Sequence, residues 1–142
     1  MHDTIGILDD DPDRIAVMEG LLRDQFREYA VCTFDNAPEM IQWLAGHLSA
    51  LALICLDHDL GPNRMREGAS FDPGTGRHVA DFLATQSPVC PVIIHSTNGL
   101  AVPGMIMALE ESGWQCRRVV PDGELSWIPN WWFPEVVEAL SG

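Results

Sequence analysis

Carboxylate, imidazole and hydroxyl side chains cluster at three points of the chain, each directly after an apolar segment. The three clusters are Asp9-Asp10, Asp57-His58-Asp59 and His95-Ser96-Thr97-Asn98. Two carboxylates ~4 Å apart repel each other by roughly 4 kcal/mol at an effective dielectric constant near ~20, so they bind a proton or a shared cation. Oxygen-rich sites of this kind favour Mg²⁺, Mn²⁺ or Ca²⁺. The clusters therefore predict a divalent-metal pocket suited to phosphate chemistry.

The elements that must position these side chains are predicted to be parallel strands. Apolar segments alternate with segments of helical periodicity, which is typical of a doubly wound α/β sheet with helices on both faces. The predicted strands are Thr4–Leu8, Tyr29–Phe34, Leu51–Leu56, Pro91–Ile94 and Trp114–Val120. In a flavodoxin-like five-stranded parallel sheet of order 2-1-3-4-5, the first and third strands are neighbours, and ligands bind beyond their carboxyl ends. We therefore expect Asp9, Asp10, Asp57 and Asp59 to converge as metal ligands.

Local signals mark where helices begin. Asp11-Pro12 reads as a helix cap followed by a first-turn proline, Asn36 with Glu39 resembles a capping box, and Thr75 is a candidate cap. The polar, glycine-rich segment 61–76 is predicted to be a long loop, either a lid over the site or a mobile connection.

Composition limits the classes of function. The 142 residues fit one domain, 1–142, and the net charge of −13 argues against general binding to DNA. No apolar run reaches the length of a membrane span, and the acidic N-terminus does not resemble a signal peptide. The cysteines lack metal-ligand spacing and suit reduced thiols, so we expect a cytoplasmic protein. These cysteines are Cys32, Cys55, Cys90 and Cys116.

With these motifs placed, the chain resembles the receiver domain of response regulators, the CheY-like fold, over nearly its whole length. The resemblance implies that Asp9 and Asp10 are the acidic pair that holds Mg²⁺ and that Asp57 is the phosphoryl acceptor. It also implies that the backbone carbonyl of Asp59 is a metal ligand and that Ser96 is the hydroxyl after the fourth strand.

One position departs from the receiver pattern. Val120 stands where receivers carry a lysine before a proline, and the chain contains no lysine at all. Arg118, two residues upstream, is a candidate substitute, because alternate residues of a strand share a face.

A closer resemblance is to the cyclic-phosphate-processing receiver domain, an atypical branch of this superfamily. It rests on Leu-Asp-His-Asp-Leu-Gly at 56–61, the turn Gly74-Thr75-Gly76 and the segment His95-Ser96-Thr97-Asn98. The resemblance implies action on the cyclic-phosphate ends of nucleotides or RNA.

The residues support a metal-dependent phosphoesterase as one hypothesis. A metal would polarise a phosphoryl oxygen or activate water, and a histidine, His58 or His95, would protonate the leaving oxygen. Ser96 and Asn98 would hydrogen-bond the phosphate. The expected partner is a phosphate-bearing small molecule, a nucleotide or an RNA end, and the expected cofactor is Mg²⁺ or Mn²⁺.

Two other hypotheses remain open. In a phospho-accepting signalling module, Asp57 would accept a phosphoryl group and the domain would switch a protein partner. The tail tryptophans would then supply a partner surface, or else they pack the last helix onto the sheet; they are Trp127, Trp131 and Trp132. A haloacid-dehalogenase-like phosphatase or a Toprim domain would also use Asp57 and Asp59. The position of this pair on the third strand and the absence of lysine disfavour the former, and the lack of a glutamate after the first strand disfavours the latter.

Overall fold

The structure is a computed structural model that describes residues 2–142. The strands are β1 (Thr4–Leu8), β2 (Ala30–Phe34), β3 (Leu51–Leu56), β4 (Arg64–Arg66), β5 (Ala69–Phe71), β6 (Val92–His95) and β7 (Cys116–Val119). The α-helices are α1 (Pro12–Gln25), α2 (Ala37–His47), α3 (Gly76–Ala84), α4 (Val102–Glu111) and α5 (Phe133–Ser141). A 3₁₀ turn, Leu48–Ala50, precedes β3, and a π-helical turn, Ile128–Trp132, precedes α5.

Five strands form one parallel sheet of order β2-β1-β3-β6-β7. Counted without the β4–β5 pair, this is the predicted order 2-1-3-4-5, and the flavodoxin-like, CheY-like fold is confirmed. The observed β7 is shorter than the predicted strand Trp114–Val120 at both ends. β1 and β3 lie side by side, with Leu8 opposite Leu56, so the residues after these two strands leave the sheet at neighbouring points.

The sheet is buried on both faces because its strands alternate their side chains between two helical layers. Ile54 and Leu56 face a core shared with α2, α3 and α4, whereas Leu53 and Cys55 face a core shared with α1 and α5. Trp127 and Trp132 are completely buried in the second core, and Trp131 is 62% exposed. Two of the three tail tryptophans therefore pack the last helix onto the sheet.

The predicted helix caps are confirmed for α1 and α2. The Asp11 carboxylate accepts hydrogen bonds from the amides of Asp13 and Arg14, and Pro12 is the first helical residue. The Asn36 side chain accepts a hydrogen bond from the Glu39 amide at 2.9 Å. Because both caps lie just beyond strand ends, the first turns of α1 and α2 reach the same edge of the sheet as the predicted site.

The segment predicted to be a long loop contains an antiparallel hairpin, β4–β5. Its two-residue turn places Glu67 at φ 54° and Gly68 at φ 80°, the backbone that a tight hairpin turn needs. Glutamate is an uncommon first residue for such a turn, and each strand has only three residues, so the pattern was too short to recognise. The hairpin docks on the start of α2, where Arg64 pairs with Asp35 and Arg66 pairs with Glu39.

At the end of the hairpin segment, Thr75 is the cap of α3, as predicted. Its amide donates to Nδ1 of His78 at 3.0 Å, so His78 has a structural role at the start of this helix. Among residues 2–142, no helix is long and apolar enough to cross a membrane.

Candidate metal and phosphate site

Three carboxylates meet at the carboxyl ends of β1 and β3. Asp9, Asp10 and Asp57 each offer an oxygen, and these oxygens all lie within 4.8 Å of one another. The backbone fixes this arrangement, because the Asp57 amide donates to the Leu8 carbonyl at 2.9 Å and extends the β1–β3 pairing by one residue. The predicted convergence of distant acidic residues is therefore present, and we call these three residues the acidic cluster.

The acidic cluster is crowded in a way that favours a cation. Asp9 is 1% exposed and Asp57 is 5% exposed, while Asp10 faces solvent. Burial raises the pKa of Asp57 to about 6, and the neighbouring charge of Asp9 adds to this effect against the opposing charge of His95. Burial and Asp9 also raise the pKa of Asp10. Ionised carboxylates at this spacing repel one another, and a bound cation would relieve that repulsion. Because their oxygens are hard ligands, they fit a Mg²⁺ or Mn²⁺ ion.

Arg14, which was not among the predicted site residues, supplies positive charge to the acidic cluster. Its Nη1 lies 3.7 Å from Oδ2 of Asp9 and 3.8 Å from Oδ2 of Asp57. Its guanidinium carbon stands 5.3 Å from the ring centroid of Trp127. The available signal was its position in the first turn of α1, three residues after the Asp11 cap.

His95 is a buried partner of Asp9. Its Nε2 donates to Oδ2 of Asp9 at 3.0 Å, and its ring stacks on Trp127 with centroids 5.8 Å apart. The residue is 0% exposed, and its Nδ1 has no hydrogen-bond partner among residues 2–142. His95 therefore contacts the site through Asp9 and does not line the open cavity described below.

Asp59 belongs to a separate polar group with His58 and Asn98. Oδ1 of Asp59 accepts a hydrogen bond from Nδ1 of His58 at 2.7 Å and one from Nδ2 of Asn98 at 3.3 Å. Its side chain is thus engaged outside the acidic cluster. Metal ligation by Asp59 stays a prediction.

An open cavity of about 550 Å³ joins the acidic cluster to the end of β6. We call it the metal cavity, and it is lined by Asp10, Asp11, Pro12, Arg14, Asp57, Asp59, Ser96 and Thr97. The Ser96 Oγ accepts a hydrogen bond from the Asn98 amide at 3.0 Å, so its own proton is free to be donated. Thr97, a member of the predicted cluster to which no role was assigned, supplies a second hydroxyl to the lining.

The position of the receiver lysine contributes nothing to the metal cavity. Val120 is 52% exposed and lies outside its lining. Arg118, the candidate substitute, donates from Nη2 to the Ser96 carbonyl at 3.3 Å and also does not line the cavity. The guanidinium next to the carboxylates is instead that of Arg14 on α1, the helix that follows β1. Arg118 lies on β7, an edge strand of the sheet.

Comparisons with known proteins agree with the fold. Solved structures of similar fold include the phosphorylated cyanobacterial phytochrome response regulator RcpA, at 18% identity and a TM-score of 0.69, with 97% of this chain and 92% of that chain covered. They also include the Mn²⁺-bound form of response regulator Rcp1, at 14% identity and a TM-score of 0.64, with 92% and 94% covered. A receiver domain from Rhodospirillum rubrum matches at 17% identity and a TM-score of 0.62, with 89% and 86% covered.

The comparison with curated proteins found no match. A family model described as "Cyclic-phosphate processing Receiver domain" matches residues 7–111. The matched residues include the acidic cluster and the polar segments 57–59 and 95–98 at the ends of β3 and β6. The tail with Trp127 lies beyond the matched residues. The chain belongs to the cyclic-phosphate processing receiver domain family.

Proposed function

We propose that this protein is a metal-dependent phosphoesterase that opens cyclic phosphates on nucleotides. The observation that carries the proposal is the acidic cluster, which shares one open cavity with Arg14 and the hydroxyls of Ser96 and Thr97. A metal-dependent phosphate site needs carboxylates that bind the cation and hydrogen-bond donors that bind the phosphate, and both kinds of group are present here.

The donor set of the acidic cluster fits a resident Mg²⁺ or Mn²⁺ ion. Asp9, Asp10 and Asp57 would hold it, and when bound it would polarise a phosphoryl oxygen and lower the pKa of coordinated water. The structure of Rcp1, which has a similar fold, is a Mn²⁺-bound form, and this supports a divalent cation as the ion.

The protein's own side chains would orient the phosphate. Arg14 presents a planar guanidinium, which suits two phosphoryl oxygens, and Ser96 and Thr97 present hydroxyl donors from the segment after β6. Each of these groups would hydrogen-bond a non-bridging oxygen. Together they would hold the phosphorus close to the acidic cluster while the ring of the cyclic phosphate opens.

Of the two candidate histidines, we assign proton transfer to His58, because its side chain is 14% exposed and it contacts Asp59, which lines the metal cavity, although His58 itself does not. The Asp59 carboxylate accepts the Nδ1 proton of His58 and stabilises the imidazolium form, in which Nε2 also carries a proton that it would give to the leaving oxygen. His95 is buried and already donates to Asp9, so we assign it a positioning role. In the proposed reaction, water adds to phosphorus and releases one of its protons to solvent, and the bond to one ribose oxygen breaks. That oxygen takes a proton from the His58 imidazolium, which solvent then reprotonates.

The alternative function is a phospho-accepting signalling module with Asp57 as the acceptor. The accessible edge of Asp57 in the metal cavity is compatible with it, but Val120 at the lysine position lacks the group that contacts the phosphoryl in receivers. A phosphoryl transfer would leave a modified Asp57, whereas hydrolysis would release a monoester and return the side chain unchanged.

The test is turnover of 2′,3′-cyclic AMP by purified protein with Mg²⁺ or Mn²⁺, followed by ³¹P NMR. We expect monophosphate product, at least 100-fold less of it with Asp57→Asn, and at least tenfold less with His58→Gln. His47→Gln, an exposed histidine on α2, is the matched control and should keep full activity. Absence of product from the unaltered protein with either metal, or equal activity in Asp57→Asn, would refute hydrolysis at this site. Acetyl phosphate labelling of Asp57 without any turnover would favour the signalling module.

A further inference from the structure

A second cavity of about 620 Å³ adjoins the metal cavity on its α1 side. It runs between α1, the end of β2, the start of α2 and the β4–β5 hairpin. Asp10 and Pro12 line both cavities, and Asp9 also reaches the second one. A ligand whose phosphate lies at the acidic cluster can therefore extend directly into this space, which we call the lateral cavity. Its volume falls in the usual range for small-molecule sites.

The walls of the lateral cavity combine an apolar surface with hydrogen-bond acceptors. Ile15, Ala16 and Phe34 supply apolar surface, and Thr33 supplies a hydroxyl. Five carboxylates line it against a single arginine, Arg66; they are Asp9, Asp10, Glu19, Asp35 and Glu39. Such walls accept hydrogen bonds from neutral or cationic groups and repel a second phosphate.

The carboxylates at the far end of the lateral cavity are held ionised. The Asn36 side chain donates to Asp35 and to Glu39, and these hydrogen bonds keep the pKa of both carboxyls below their usual values. Arg66 pairs with Glu39 at 2.9 Å and lies 4.3 Å from the centroid of the Phe71 ring. The hairpin is therefore fixed as one wall of the cavity. The oxygens of Asp35 and Glu39 already accept hydrogen bonds from Asn36, Arg64 and Arg66, and each has a second lone pair that a ligand N–H or O–H can use.

We propose that the lateral cavity binds the neutral organic part of the substrate, a single nucleoside whose sugar hydroxyls and base amino group donate to its carboxylates. This inference rests on the proposed function and adds the substrate class to it. One nucleoside with one phosphate fits both cavities, whereas an RNA chain would bring further phosphates towards five carboxylates. The substrate is accordingly a mononucleotide-sized cyclic phosphate.

The test separates the two cavities by calorimetry in Mg²⁺. Inorganic phosphate probes the metal cavity alone, and 3′-AMP, a monoester that an enzyme opening cyclic phosphates does not consume, probes both. Ala16→Trp fills the lateral cavity from the exposed face of α1, with Ala16→Leu as a milder form. Ala45→Trp, at an exposed position of α2 outside both cavities, is the matched control.

We expect Ala16→Trp to weaken the binding of 3′-AMP at least tenfold and the binding of phosphate less than twofold. Ala45→Trp should leave both affinities unchanged. The dinucleotide ApAp, which adds an internal phosphate, should bind no tighter than 3′-AMP in low salt. The inference is overturned if 3′-AMP binds no tighter than phosphate, if the Ala16 variants do not weaken it selectively, or if ApAp binds more tightly, which would indicate an RNA end. Failure of phosphate itself to bind in Mg²⁺ would instead refute the proposed function, and the inference with it.

Discussion

Arg14 is the side chain that most distinguishes this site at the scale of single residues. It is 24% exposed and lies within 4 Å of carboxylate oxygens of Asp9, Asp11 and Asp57. A guanidinium remains charged at every pH of interest, so it offsets part of the repulsion within the acidic cluster. The same charge opposes the entry of a divalent cation and attracts a phosphate. Its removal should therefore have opposite effects on the two ligands.

We predict that Arg14→Met tightens Mg²⁺ binding about fivefold and weakens phosphate binding in saturating Mg²⁺ about tenfold. The first figure corresponds to about 1 kcal/mol for a partly solvated charge, and the second to the loss of a charge-assisted hydrogen bond. Calorimetric titrations of each ligand measure both. Arg23→Met removes the same charge from the last turn of α1 and should change neither affinity. A shift of both affinities in the same direction would show that Arg14 only stabilises the fold.

The acidic cluster could be predicted from the sequence, but its cationic partner could not. Asp9 and Asp57 directly follow buried strands, so sheet topology alone brings them together. Arg14 reaches the cluster only through the path of a long side chain across the first turn of α1. Its neighbour Trp127 lies 113 residues further along the chain, and no local pattern reports that contact.

At the scale of elements, α3 positions the site through a close backbone approach. Gly76, its first residue, donates its amide to the His58 carbonyl at 2.9 Å. A Cβ atom at Gly76 would stand 2.0 Å from the Asp57 carbonyl oxygen, a contact with backbone that no rotamer can relieve. The glycine therefore allows α3 to begin directly against the backbone of Asp57, the proposed metal ligand that follows β3.

We predict that Gly76→Ala lowers the free energy of unfolding by about 1–3 kcal/mol and weakens Mg²⁺ binding, because the displaced Asp57 backbone shifts its carboxylate. Urea unfolding and a Mg²⁺ titration give the two values. Gly20→Ala is the control: a Cβ there meets no atom within 4 Å, and it should raise the stability of α1 by about 0.5–1 kcal/mol. Unchanged Mg²⁺ affinity in a folded Gly76→Ala protein would contradict the coupling of α3 to the site.

The elements that the sequence predicted are those with a strong local signal. β1 and β3 are matched to the residue, since each is an apolar run that ends in aspartate. The β4–β5 hairpin was missed because its strands are mostly exposed and so carry no burial pattern. Its position depends on ion pairs with Asp35 and Glu39, and pairing between side chains 29 and 27 residues apart is not visible in a single sequence.

At the scale of the whole molecule, negative charge dominates. The chain carries 21 acidic and 8 basic residues, and five of the arginines already form ion pairs with carboxylates. This surface repels polyanions and leaves the fold under electrostatic repulsion that salt reduces. Under the proposed function, a small phosphate ligand would be attracted by local charges, those of Arg14 and of a bound cation, against the overall negative field of the protein.

Because the acidic cluster concentrates this repulsion at a buried point, the stabilities of the native protein and Asp57→Asn should exchange order when Mg²⁺ is added. Without divalent cations at neutral pH, Asp57→Asn should be more stable than the native protein by about 2 kcal/mol. The reason is that the buried Asp57 carboxylate is ionised above its raised pKa of about 6, and burial of that charge destabilises the folded state. With Mg²⁺ at 100 times its dissociation constant, the native protein should gain about 2.7 kcal/mol that the variant does not.

Thermal unfolding in Mg²⁺ and in NaCl of equal ionic strength distinguishes specific binding from screening, which stabilises both proteins alike. Asp24→Asn, which removes an exposed charge from the end of α1, should respond to Mg²⁺ as the native protein does. If the gain in Mg²⁺ were the same in Asp57→Asn as in the native protein, the cation would be acting on the diffuse charge of the surface. The acidic cluster would then be no more than a crowded turn between two strands and their helices.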